Sequence, residues 1–151
     1  MIRFETGNIV TGKYPIFCQQ VNCQGKMGSG LAKQIRDKYP EVYSSYMTES
    51  QNNNQHLGEI LTVKTSDGRL SVNMYAQEFY GHNRKYTDYL AFASCLSRLK
   101  DCLNHIDTDK VVAFPYNIGC GLAGGDWDVV YALIKEFSDQ IKQTVVIVRY
   151  A

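Results

Sequence analysis

Two short apolar runs constrain this chain most. "VVAF" at Val111 to Phe114 and "VVIV" at Val145 to Val148 hold no polar residue. Continuous runs of this length suit strands covered on both faces. Between them Val130, Leu133, Ile134 and Phe137 mark one face of a helix. A sheet that holds such strands needs helices on both sides.

The rest of the chain extends the same pattern. "IRFE" alternates apolar and polar, as in a half-exposed strand, and Ile16 to Asn22 is a second strand whose pattern Gln19 and Gln20 interrupt. Leu31, Ile35 and Tyr39 recur every four residues and predict a helix, and Pro40 opens another. "EILTVKT" and "LSVNMYAQ" flank "SDGR", whose Asp-Gly predicts a hairpin. From Thr87 onward, Tyr89, Phe92, Leu96, Leu99, Leu103 and Ile106 step by three and four, the longest helical stripe in the chain. The reading is an α/β domain over residues 1–151, with a mixed sheet between two helical layers. With 151 residues, one core suffices without staples.

Charge narrows the function classes. The formal net charge is +1 and no block of Lys or Arg stands out, which argues against duplex nucleic-acid binding. A small anion remains in reach, because backbone N–H groups bind one without net positive charge. No apolar run is long enough for a bilayer, and the first residues carry no signal pattern, so the expected compartment is the cytosol. The five cysteines include no C-x-x-C pair, so neither a disulfide frame nor a zinc site is expected. A monomer without metal or cofactor is the expectation.

Two glycine-rich stretches each follow an expected strand and precede an expected helix. They are "NCQGKMGSGLA" from Asn22 and "PYNIGCGLAGGDW" from Pro115. In an open α/β sheet such loops gather at the carboxyl ends of the strands, where ligands bind. Glycine lets a ligand approach the main chain, and a helix that starts there aims free N–H groups at it. Two such loops face to face make a cradle for a diphosphate; the same glycines would also serve tight turns alone. Neither a P-loop nor a G-x-G-x-x-G fingerprint is present.

These stretches, with "GNIV" at Gly7 to Val10, together resemble the macrodomain family over nearly the whole chain, in order. More narrowly, they resemble its small single-domain branch. That branch includes terminal ADP-ribose glycohydrolases, antitoxins against DNA-ADP-ribosylating toxins, and ADP-ribose 1''-phosphate phosphatases. The resemblance implies a three-layer α/β/α sandwich that binds ADP-ribose, free or on a macromolecule. Carried onto this sequence, it implies that Asn8 and Ile9 meet the adenine. Where Asn8 stands, family members often carry Asp, which accepts from the adenine amino group; Asn keeps a carbonyl acceptor and loses the charge. Asn22 would bond the distal ribose. Gly25, Lys26, Met27, Gly28, Ser29 and Gly30 would line that ribose and one side of the diphosphate. Pro115, Asn117, Ile118, Gly119, Cys120, Gly121 and Leu122 form the other side, with N–H groups from Ile118 to Leu122. Tyr150 is a candidate to stack on adenine, or else an aromatic that caps the core.

The resemblance also sets the chemistry in question. The glycohydrolases of this branch use a lysine after the hairpin and an aspartate after "GCGL". Here those positions fall at or beside Gln77 and at Ala123. An amide forms no imine and an alanine carries no proton, so that mechanism is not available. Lys85, on the following loop, is a poor place for a desolvated nucleophile. A hydrolase that works through water needs a base, and Asn22, Gln77, His82, Asp88 and Asp126 are the candidates to hold or activate that water. Asp126 also suits a helix cap, and Asp88 the first turn of the long helix. Three readings stand: a water-dependent hydrolase of ADP-ribose 1''-phosphate or ADP-ribosyl linkages, a reader that binds without turnover, and a binder of poly(ADP-ribose) or single-stranded RNA that uses its tyrosines for stacking.

Overall fold

The computed structural model describes residues 1–28, 30–51, 56–81 and 83–151. Six strands form one sheet in the order β1-β6-β5-β2-β4-β3. They are β1 (Ile2–Gly7), β2 (Ile16–Val21), β3 (Ile60–Lys64), β4 (Leu70–Tyr75), β5 (Val112–Pro115) and β6 (Val145–Tyr150). All pairings are parallel except that of β3 with β4, the hairpin that Asp67-Gly68 turns. The sheet is therefore mixed, as expected. The apolar runs of β5 and β6 lie at its interior, and the alternating β1 forms an edge.

Helices cover both faces. On one side α3 (Tyr89–Leu103) and α4 (Trp127–Asp139) set Phe92, Leu99, Ile134 and Phe137 against Cys18, Met74, Phe114 and Ile147. On the other, α1 (Gly30–Lys38) and α2 (Pro40–Gln51) set Ile35, Val42 and Tyr46 against Phe17, Val21, Tyr75 and Val146. Each fully buried aliphatic or aromatic side chain contributes about 1.5–3 kcal/mol. No helix among the described residues is long and apolar enough to cross a membrane.

Two helix boundaries differ from the sequence expectation. Asp88 lies one residue ahead of α3 as its N-cap, and its side chain accepts the Ala91 N–H at 3.0 Å. The helix stops at Leu103, three residues before the apolar stripe ends; Ile106 still packs on the same core, its N–H bonded to the Leu103 carbonyl. Asp126 caps α4 as expected, accepting the Asp128 N–H at 2.9 Å.

The glutamines that break the β2 pattern have separate partners. Gln19 faces Asn73 across the parallel register, and its Nε2 donates to the Asn73 Oδ1 at 2.9 Å. Gln20 points to the other face, toward the loops after β4 and β5. A second polar group is buried at the hairpin. Arg69, only 8% exposed, lies over the Phe17 ring at 4.1 Å. It donates to the carbonyls of Tyr14 (2.8 Å), Val10 (2.6 Å) and Ile9 (2.7 Å) and to the Tyr39 hydroxyl (2.9 Å). One guanidinium thus ties the loop after β1 to the hairpin.

The topology places the loops. The carboxyl ends of β1, β6, β5, β2 and β4 all lie along one edge of the sheet. Between neighbours β5 and β2 the connections part: β2 leads to α1 on one face, β5 to α4 on the other. That divergence opens a crevice at the carboxyl ends, the usual ligand site of an open α/β sheet.

Candidate functional site

A cleft of about 850 Å³ lies over this crevice, and a smaller pocket of about 230 Å³ continues it over the ends of β1 and β6. The two share Leu31, Pro115 and Tyr116. Asn8, Ile9 and Tyr150 line the smaller pocket. Asn22, Gly25, Lys26, Met27, Gly28 and Gly30 form one wall of the larger cleft; Asn117, Ile118, Gly119, Gly121 and Leu122 form the opposite wall. Cys120 lies behind that wall rather than in it. Ser29 and His82 fall outside the described residues. Tyr150 is 71% exposed, so it does not cap the core.

Asn22 builds its own wall. Its Oδ1 accepts from the N–H groups of Gln24 (2.9 Å) and Lys26 (3.2 Å), and its Nδ2 donates to the Lys26 carbonyl at 2.9 Å. The buried Tyr46 hydroxyl backs it, donating to the Asn22 carbonyl at 2.5 Å. The side chain folds the loop around itself and keeps one Nδ2 hydrogen for the cleft.

The opposite wall corrects the expectation that every N–H from Ile118 to Leu122 faces a ligand. The Ile118 N–H bonds to the Pro115 carbonyl (3.1 Å), and the Cys120 N–H to the Asn117 carbonyl (2.8 Å). The N–H groups of Gly119, Gly121 and Leu122 make no hydrogen bond among the described residues. Gly119, Gly121 and Leu122, and not the whole stretch, therefore form the donor surface. Gly119 has φ of +74°, which favours glycine, and a Cβ there would lie 2.6 Å from the Gln20 Oε1 and displace that amide.

A polar relay fixes that wall. Gln20 Nε2 donates to the Gln77 Oε1 (2.8 Å) and the Thr87 Oγ1 (2.9 Å), and Thr87 Oγ1 donates to the Gly119 carbonyl (2.6 Å). Gln77 Nε2 donates to the Phe79 carbonyl at 2.8 Å. Both ends of the Gln77 amide are engaged in holding the loops, and, as at Asn22, one Nε2 hydrogen is left over at the cleft lining. Ala123 is buried, and its carbonyl takes the N–H groups of Tyr86 and Thr87.

Gly28 and Gly121 differ from the other loop glycines. A Cβ on either would meet no atom within 4 Å, and neither has a φ in the left-handed region. Neither the fold nor its backbone demands glycine there. They stand on opposite walls of one cleft.

The ionisable groups of the cleft are cationic or phenolic. Lys26 and Arg36 line it, and no carboxylate or imidazole does among the described residues. Asp88 and Asp126 are occupied as helix caps. Lys85 lies with its Nζ 4.6 Å from the centre of the Tyr89 ring, outside the lining. Burial, with a smaller push from Asp126, raises the Cys120 thiol to about 11, so it is no thiolate nucleophile at neutral pH. Sequence reasoning missed Leu31, Arg36, Tyr43, Tyr80 and Tyr116 in the lining. Each reads there as an ordinary helix-face or loop residue.

The family model of the Macro domain matches residues 18–134. The chain belongs to the macrodomain family. Among relatives of this macrodomain, the DNA ADP-ribosyl glycohydrolases of Mycobacterium tuberculosis and Thermus aquaticus are each 26% identical, over 140 and 141 residues. These alignments take in 91% and 90% of this chain but only 39% and 37% of the relatives' own lengths. The solved macrodomain of Mycobacterium tuberculosis DarG shares its fold, with a TM-score of 0.85 and 23% identity over 99% of this chain and 97% of that one. Thermosipho africanus DarTG in complex with ADP-ribose superposes with a TM-score of 0.81 and 18% identity over 97% of this chain and 41% of that one.

Proposed function

We propose that this macrodomain binds the ADP-ribosyl group, free or attached to a macromolecule, along the continuous cleft. One observation carries the reading: Gly28 and Gly121, on the two loops that line the cleft, stand where nothing in the protein needs a glycine. A ligand that must touch the main chain explains them. The free N–H groups of Gly119, Gly121 and Leu122 suit a diphosphate, with Lys26 and Arg36 adding positive potential. Ile9 and Tyr150 hold the base, and Asn22 offers its remaining hydrogen to the distal ribose. Met27 and the Gly25 to Gly30 wall enclose that sugar.

The relatives named as glycohydrolases favour a second reading, hydrolysis of an ADP-ribosyl linkage. The cleft supports the reader instead. Its described lining holds no general base, and Ala123 follows the "GCGL" stretch. Two assays separate them: phosphate release from ADP-ribose 1''-phosphate, and ADP-ribose release from ADP-ribosylated single-stranded DNA. We expect both to match the buffer blank while ligand binding persists. A rate above the blank in either assay, lost on Gly121→Glu, establishes the hydrolase.

A further inference from the structure

The free edge of the sheet at β1 fits a reversed copy of itself. The Met1 and Gly7 carbonyls accept the N–H groups of Val145 (2.9 Å) and Ala151 (3.3 Å), so the odd-numbered residues of this strand face β6. Backbone groups point alternately to the two sides of a strand, which turns the N–H and C=O groups of Ile2, Phe4 and Thr6 outward. No strand among the described residues pairs with them. Such an edge is a template for another strand unless something blocks it. β1 holds no proline, no lysine and no bulge across its six residues, and Phe4 on it is 57% exposed.

The side chains select the partner. Arg3 and Glu5 share one face, with Nε and Oε2 2.8 Å apart, and the Tyr14 hydroxyl donates to Glu5 at 3.0 Å. Phe4 lies on the other face, its ring centre 5.8 Å from that of Tyr131 on α4. Arg3 and Glu5 therefore stand symmetrically about Phe4, with opposite charge. A second β1 laid antiparallel about Phe4 sets each Arg3 opposite the Glu5 of the other copy, and Phe4 opposite Phe4. The two Phe4 residues exchange their N–H and C=O groups. Arg3 and Glu5 fall at non-hydrogen-bonded positions, where facing side chains come closest. Opposite charges and aromatic pairs across strands stabilise a sheet, and like charges directly opposite destabilise it. An in-register parallel copy would set Arg3 on Arg3. The other edge, β3, has no such match: reversed about Thr62, it sets Lys64 opposite Ile60.

We infer that β1 is a two-fold interface through which the protein pairs with a second copy of itself, in place of the monomer that the sequence suggests. The contact is isologous, the same strand on both sides, and it closes at two copies. It joins two six-stranded sheets into one. The occupant is another copy of this chain because the charge order about Phe4 is complementary to its own reverse. The two β1 strands run in opposite directions, so the two clefts, at the carboxyl ends, open at opposite edges of the joined sheet. One strand pair buries little area, so the dimer is reversible. The inference does not depend on the ADP-ribosyl reading.

Sedimentation equilibrium at low salt, from about 10 µM to about 1 mM protein, tests this on the wild type and on charge variants. The wild-type mass is expected to rise from 17.1 kDa toward twice that value, with a dissociation constant of roughly 300 µM or tighter. Arg3→Glu alone, or Glu5→Arg alone, sets like charges opposite each other and is expected to raise that constant roughly tenfold or more. An equimolar mixture of the two variants is expected to recover dimer, because each strand then meets its opposite. The double swap R3E/E5R is expected to recover it too. Melting temperatures check folding, and a misfolded variant would not regain dimer on mixing. A wild type that stays at 17.1 kDa up to about 1 mM overturns the inference. So does a single variant that dimerises as tightly as the wild type, or a mixture that stays monomeric.

Discussion

Gly121→Glu is expected to weaken ADP-ribose binding by roughly a hundredfold or more, about 2.7 kcal/mol, without lowering thermal stability. The separation of the two effects follows from the local geometry. No atom lies within 4 Å of a Cβ at this position, and the backbone is not left-handed. The substitution therefore meets neither clash nor strain in the folded chain. Its carboxylate enters the cleft that Gly28 also lines, beside the free N–H groups that we assign to the diphosphate. Repulsion between like charges and loss of close main-chain approach act together there. Calorimetry and a thermal melt on the same sample check both halves. Gly119→Ala provides the contrast: at φ of +74° with Gln20 Oε1 2.6 Å away, it should cost stability first. If Gly121→Glu keeps wild-type affinity, the diphosphate is not where we put it.

Arg69→Met is expected to destabilise the fold by roughly 2–5 kcal/mol, read as a lower midpoint in urea denaturation. Methionine fills much of the volume over Phe17 and removes every donor. The Ile9 and Tyr14 carbonyls then lose the guanidinium bonds that satisfy them. Val10 fares better, because Lys38 Nζ also donates to its carbonyl at 3.2 Å. Each buried carbonyl left unpaired costs about 1–3 kcal/mol, a large share of a typical total of about 5–15 kcal/mol. Arg69→Lys should fall between, since one ammonium cannot span carbonyls that the planar fork reaches at once. A midpoint shift worth less than about 0.5 kcal/mol would show that the guanidinium only fills space.

Local patterns in the chain were enough to read most of its elements. The unbroken runs at Val111 and Val145 are the interior strands β5 and β6, and the Asp-Gly turn is the β3–β4 hairpin. Strand order was not legible, because neighbours such as β1 and β6 meet from opposite ends of the sequence. The glycine stretches could be placed at the cleft because a strand, a loop and a helix in sequence leave the loop at the strand's carboxyl end. Which of their N–H groups stay free depends on turns that composition does not specify; Ile118 and Cys120 spend theirs inside the loop. The Gln20, Gln77 and Thr87 relay was hidden by distance, its partners lying 57 and 67 positions apart. Only the interruption of an apolar strand by Gln19 and Gln20 hinted at it. Arg69 gave no signal, since a basic residue beside Asp-Gly ordinarily reads as solvated. In the sequence, Asn8 reads as an acceptor in place of aspartate. The structure spends that acceptor on its own turn, a bond that requires the backbone geometry to see.

Titration calorimetry of the wild-type protein with ADP-ribose tests the central claim most directly. A cleft with a pre-formed donor wall predicts one site per chain and a dissociation constant in the micromolar range, about −8 kcal/mol. No heat at millimolar ligand would contradict the account.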